Sequence, residues 1–176
     1  MSKIAMFPVL LALSALAAAV FGALHNQLSF SVGPDYFYAI KFPQFGIVNL
    51  PDRLGAALVG VQASWWMGVL VGAPAFLYGL IAVARPAAYF AAGLSSIGFV
   101  VMIALGFAGL GLLAGMLFAD QPIMDRIATP EGANRAEVLR AGLMHDASYI
   151  GGALGAIAAF LPMRLAARAN GMPHAA

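Results

Sequence analysis

Charge along this chain comes in blocks separated by long apolar runs. Between Arg53 and Arg85 lie 31 residues without a formal charge, and between Arg85 and Asp120 lie 34. Each run exceeds the roughly 20 apolar residues needed to cross a bilayer core. Another apolar run, Ile4 to Leu24, follows Lys3, and a fourth extends from Ala147 to Met163, before Arg164. All seven acids (Asp35, Asp52, Asp120, Asp125, Glu131, Glu137, Asp146) fall in the windows 35–52 and 120–146. The pattern predicts an all-α, multi-pass membrane protein: an antiparallel bundle of four transmembrane helices at about 4–24, 55–84, 87–118 and 146–166. Two long outer loops, 25–54 and 119–145, would join them, and residues 1–176 would form a single membrane domain.

The first run has a second reading. A charged start, an apolar stretch and Ala17-x-Ala19 also suit a secretory signal cleaved near residue 19, which would leave three spans. Its 21 apolar residues exceed the roughly 7–15 of a signal core, so a retained helix is expected. Orientation follows from the basic residues. The amino terminus, the 82–88 link and the tail carry Lys3, Arg85, Arg164 and Arg168 without an acid, and basic residues are denser there than in the long loops. That side is expected in the cytoplasm of a bacterial-type inner membrane, with both termini inside.

Helix signals refine these elements. Arg85-Pro86 makes a tight hairpin link, and Pro86 suits a first helical turn, where its missing N–H has no intrahelical partner. Pro74 should bend the second span. Asn134-Arg-Ala-Glu137 has a capping-box pattern, and a helix starting near Arg135 is expected to run unbroken into the fourth span. That span is short and should be completed by its flanks, with Tyr149 at one interface and Arg164 and Arg168 snorkelling at the other.

Small residues recur where helices would meet. Ala56, Gly60, Ser64, Gly68 and Gly72 repeat at four-residue spacing, and Gly111/Gly115 and Gly151/Gly155/Ala159 do the same. Such stripes let helices approach closely in lipid, where van der Waals contact must hold them together. Gln62, Ser64, Ser95 and Ser96 are candidates for interhelical hydrogen bonds. Trp65 and Trp66 fall mid-span, away from the interfaces where tryptophan is enriched. They are expected to fill space beside glycine or to meet a bound lipid or cofactor.

The first loop is strongly aromatic. Phe30, Tyr36, Phe37, Tyr38, Phe42 and Phe45 fall within sixteen positions, too many for a freely solvated linker. Their alternation around Gly33-Pro34-Asp35 reads as two short paired strands with a turn. The loop is expected to form a lid on the helices; alternatively Tyr36, Phe37, Tyr38, Phe42 and Phe45 make a docking face for lipid or a partner.

Composition excludes several classes. At 62% hydrophobic and 9% charged residues, with a mean hydropathy of +0.91, the chain lacks the polar shell of a soluble domain. A net charge of +2 without a basic cluster gives no footprint for nucleic acid. The layout of four spans with a long first outer loop resembles claudin-like tetraspan proteins. Their outer-loop cysteine pair has no counterpart, because the chain has no cysteine. The same lack removes thiol exchange, thiolate metal sites and cysteine nucleophiles.

Candidate chemistry reduces to two histidines. His25 ends the first span and His145 begins the fourth, at the same membrane depth, with Asp120 at the end of the third. These three would suit a divalent metal, and His25 with His145 would suit axial ligation of a haem in a slot opened by Gly22 and Gly152. A proton-transfer role is a further possibility. The plainer reading is that each histidine caps a helix end and that the chain carries no cofactor. His174, in the polar tail, looks incidental. No zinc-protease helix, nucleophile elbow or phosphate loop is present, and no charge lies deep in a span, which argues against pumps and voltage sensors. The expected function is non-enzymatic: an accessory or scaffold subunit whose aromatic outer loop meets a membrane-protein partner or lipid. The alternatives are a metal- or haem-binding redox protein using His25 and His145, and a small transporter.

Overall fold

In a computed structural model, which describes residues 1–171, the chain is helical almost throughout. Four helices are long and apolar enough to cross a membrane. The first, α1, runs from Lys3 to Val32, capped by Ser2, whose hydroxyl accepts the Ala5 N–H at 3.3 Å. Helix α4 spans Asp52–Ala82 and α5 spans Pro86–Phe118, with Pro86 in its first turn. The fourth is α6, Arg135–Ala158, continued after a break at Ala159 by α7, Phe160–Gly171. His174 lies outside the described residues.

Several boundaries differ from the sequence expectation. Helix α1 continues eight residues past Leu24, because nothing between Leu24 and Val32 breaks a helix. The break at Ala159 was not anticipated. Pro162 explains it: its ring and missing N–H disrupt the turn that would bond to the Ala158 carbonyl. Pro74, by contrast, leaves α4 continuous.

The expected strands between α1 and α4 do not form. Pro34 opens a one-turn helix, α2 (Pro34–Tyr36), which passes into a π-helical turn (Phe37–Lys41) and another short helix, α3 (Phe42–Phe45). In the π turn the Phe42 N–H reaches the Phe37 carbonyl, five residues back, so both phenylalanines face inward and are buried. Helical turns satisfy backbone groups locally, whereas a lone strand pair would leave its edges unpaired. Gly46, at φ +65°, closes α3 in the left-handed conformation that glycine adopts without strain.

The four long helices pair off, α1 antiparallel to α4 and α5 antiparallel to α6. Within each pair the backbones nearly touch. A methyl group on Gly22 would strike the Gly60 carbonyl, one on Gly60 would strike Gly22, and one on Gly68 would strike Ser14. In the other pair, Gly151 would meet Ala104 Cα at 2.9 Å and Gly155 would meet Val100 Cα at 3.0 Å. These are the stripes read from the sequence, and they serve the chain's own packing. Two hydrogen bonds fix the seams: Ser14 Oγ donates to the Gly68 carbonyl at 2.8 Å and Ser96 Oγ to that of Ala159 at 2.7 Å. Gln62 is exposed and Ser95 bonds within its own helix, to Ala91. Trp65 and Trp66 point outward, about half exposed.

The two pairs join mainly at their ends. Near the termini, Leu10, Phe76, Val83, Tyr89, Ala92 and Met163 form one core. There Lys3 Nζ donates to the Leu80 and Val83 carbonyls at 2.8 and 2.7 Å, capping the negative end of α4. At the other end Phe30, Tyr36, Phe37, Phe42, Ala56, Val59, Val138 and Ala141 form a second core. Between the two cores lies a cavity lined by residues of all four long helices.

Candidate functional site

The connecting segments close one end of the molecule as a strapped lid. Asp35 carries the strap. Its carboxylate accepts the Asn134 N–H at 2.6 Å, and its own N–H donates to Glu137 Oε2 at 3.1 Å. Asn134 caps α6 as the sequence suggested, accepting the Glu137 N–H at 3.3 Å. The Glu137 carboxylate, however, reaches the other segment instead of completing the capping box. Gly33 permits this approach, since a side chain there would strike the Glu137 carbonyl. Arg53 ties α4 to α1 by donating to the Gln27 carbonyl and Ser31 Oγ at 2.8 and 2.9 Å, with its guanidinium over the Phe30 ring.

Of the aromatics named as a docking face, Phe37, Tyr36 and Phe42 are buried and Phe45 packs partly against them. Tyr38 is exposed and donates to Asp52 Oδ2 at 2.6 Å. That hydrogen bond holds the Tyr38 phenol above its ordinary pKa. Burial does the same for Tyr36, with Tyr149 and Asp146 adding to it, so Tyr36 stays a neutral phenol beneath the lid.

Under the lid the two histidines meet. The rings of His25 on α1 and His145 on α6 stand edge to face, with centroids 4.6 Å apart. Both are buried, at 7% and 5% exposure. Phe21 lies 5.4 Å from His25, and Tyr36 and Phe37 lie 4.9 and 6.1 Å from His145, so an aromatic box surrounds the pair.

Asn26, which the sequence reading did not single out, organises the site. It is buried, its Nδ2 donates to the Ala56 carbonyl at 2.9 Å, and its Oδ1 lies 3.1 Å from His145 Nε2. His145 Nδ1 lies 2.8 Å from the Ala141 carbonyl and therefore carries the ring proton of the neutral form. Nε2 and the Asn26 oxygen are then two acceptors facing each other. Turning the amide moves the conflict to the Ala56 carbonyl. The network holds one acceptor too many until a proton or a donor is added. His25 is the opposite case: among the described residues neither of its buried ring nitrogens has a protein partner. The clue in sequence was an amide next to a histidine at the end of an apolar run.

Below the pair, between the two cores, lies a cavity of about 120 Å³. His25, Asn26, His145, Ser148 and Tyr149 give it a polar head, with Lys41 alongside. Burial lowers the Lys41 pKa, while Asp146 opposes the shift. The rest of the wall is apolar or small and reaches down to Ser14 and Gly68. Gly152 borders it with open space where a side chain would be, whereas Gly22 is closed off by its contact with α4.

Asp120 lies elsewhere, paired with Arg140 at 2.9 Å. Among the described residues no group of three His, Cys, Asp or Glu side chains gathers. The histidine rings as they stand are in contact and leave no gap for a haem between them. In comparisons with known proteins, no family model, no curated protein and no solved structure matches this chain.

Proposed function

We propose that this chain is a four-span bundle of a bacterial-type inner membrane, with both termini cytoplasmic and the strapped lid outside. It works by binding, without catalysis, and its ligand is an amphiphile seated in the central cavity. One observation carries this reading. His25 is buried at the polar head of an otherwise apolar cavity, with no protein partner for either ring nitrogen among the described residues. A buried polar group left unpaired costs about 1–3 kcal/mol, so a ligand that supplies the missing hydrogen bond gains by entering. Ligand sites of this type pair an apolar wall with a few converging polar groups.

The test is mass spectrometry of small molecules that co-purify with protein extracted from native membranes. One amphiphile enriched over bulk lipid, and lost in His25→Phe, is expected; bulk lipid alone would refute the reading. Metal analysis and an optical spectrum of the same sample test a metal or haem at His25 and His145. Stoichiometric metal or a Soret band would favour the redox reading instead.

The accessory-subunit reading has separate support in Trp65 and Trp66, half exposed midway along α4. Crosslinking through that face in native membranes should recover a recurrent membrane-protein partner; a protein that stays alone would count against it. Reporter fusions near residues 45 and 130 should read external, and fusions near 85 cytoplasmic.

A further inference from the structure

The cavity shares a wall with a second recess. Ala17, Phe21, His25, Ile97 and Val101 line the cavity, and the same five residues line a groove of about 670 Å³ between α1 and α5. Beyond these five, the groove is walled by leucine, valine, alanine, glycine and Met144. His25 thus stands at the junction of a small chamber with a polar head and a larger aliphatic channel along the surface.

The sizes of the two spaces select a ligand class. An engineered cavity of about 150 Å³ accepts benzene, so a chamber of about 120 Å³ has room for about one six-membered ring. The groove has the volume and chemistry for a hydrocarbon tail. Hydrogen bonding narrows the class further. Neutral His25 offers one donor and one acceptor, and the His145–Asn26 pair holds an acceptor in need of a donor. A ring hydroxyl both donates and accepts. A carboxylate suits the site poorly, because Lys41 is the only cation on the wall among the described residues and already contacts Gln44 Oε1 and the Tyr36 ring.

Resting on the binding reading above, we infer that the ligand is a ring-headed amphiphile of the alkyl- or prenyl-phenol (quinol) class. Its hydroxylated ring sits in the chamber against His25. Its tail passes beside Ala17 and Phe21 into the α1–α5 groove.

Equilibrium binding of radiolabelled 4-decylphenol to the full chain in lipid nanodiscs tests this, with decanoic acid and p-cresol as competitors. Saturable binding is expected, displaced by excess unlabelled 4-decylphenol and by p-cresol but not by decanoic acid. His25→Phe should weaken it about tenfold, the loss expected for one buried hydrogen bond. Val20→Trp should weaken 4-decylphenol binding and leave p-cresol binding unchanged, because Val20 lines the groove and not the chamber. It also provides the decisive variant if His25→Phe fails to fold. Equal competition by decanoic acid would overturn the ring-headed class while leaving an amphiphile site standing. No saturable binding of either compound would overturn both readings. Wild-type affinity in His25→Phe or in Val20→Trp would overturn the placement of the head or the tail.

Discussion

Two kinds of helix interface coexist in this molecule. Within the α1–α4 and α5–α6 pairs, small residues bring the backbones together so closely that Gly22, Gly60 and Gly68 have no room for a methyl group. Between the pairs, contact is concentrated in two end cores, and the middle holds a cavity. Seams of the first kind hold the fold. The looser interface leaves room for a ligand, and the strap through Asp35 keeps the lid in place above it.

The contrast predicts a steep ranking of substitutions. Gly60→Leu should do the most damage, because the leucine must displace α1 backbone; a loss of about 3 kcal/mol or more is expected. Thermal unfolding in detergent would show it as a large fall in Tm. If Gly152→Leu, which projects into the cavity, costs as much, the two interfaces do not differ as described.

Asp35→Ala comes next. It removes the acceptor for the Asn134 N–H and should cost about 1–2 kcal/mol. The effect should be local, read as faster hydrogen exchange across residues 33–46 with the long helices unchanged. Uniformly faster exchange would mean that the lid and the helices unfold together.

Ser96→Ala should cost about 0.6 kcal/mol, the typical worth of an interhelical hydrogen bond in lipid. Gly152→Ala ranks last, within about 0.5 kcal/mol of wild type, and should affect ligand occupancy more than Tm.

These tests bear most on what the sequence did not reveal. The long helices were legible because charge cannot enter lipid, so Arg53, Arg85 and Asp120 bracket the second and third of them. The seams were legible because glycine at four-residue spacing has one main use in a membrane helix. The path of residues 33–46 was not: Tyr36, Tyr38, Ile40 and Phe42 alternate like a strand, yet Phe37 and Phe42 share a face only in a π-helical turn. The helix break at Ala159 had a visible cause in Pro162, which the uncharged run around it concealed. His25 and His145 stood out as the polar residues at matching ends of two spans. Their mutual contact, and the part played by Asn26, depend on how the two helix pairs meet, and no local pattern records that.

The absence of native cysteine allows a direct measurement of the central claim, that a cavity separates the pairs beside tight seams. Gly151 and Gly152 are neighbours at one depth on α6. Gly151 packs against Phe107 and Ala104, and Gly152 faces open space on the cavity wall. The rates at which Gly151→Cys and Gly152→Cys react with N-ethylmaleimide in membranes should differ widely. The account predicts rapid labelling of Gly152→Cys, slowed by bound 4-decylphenol, and little labelling of Gly151→Cys. Equal rates at the two positions would contradict it.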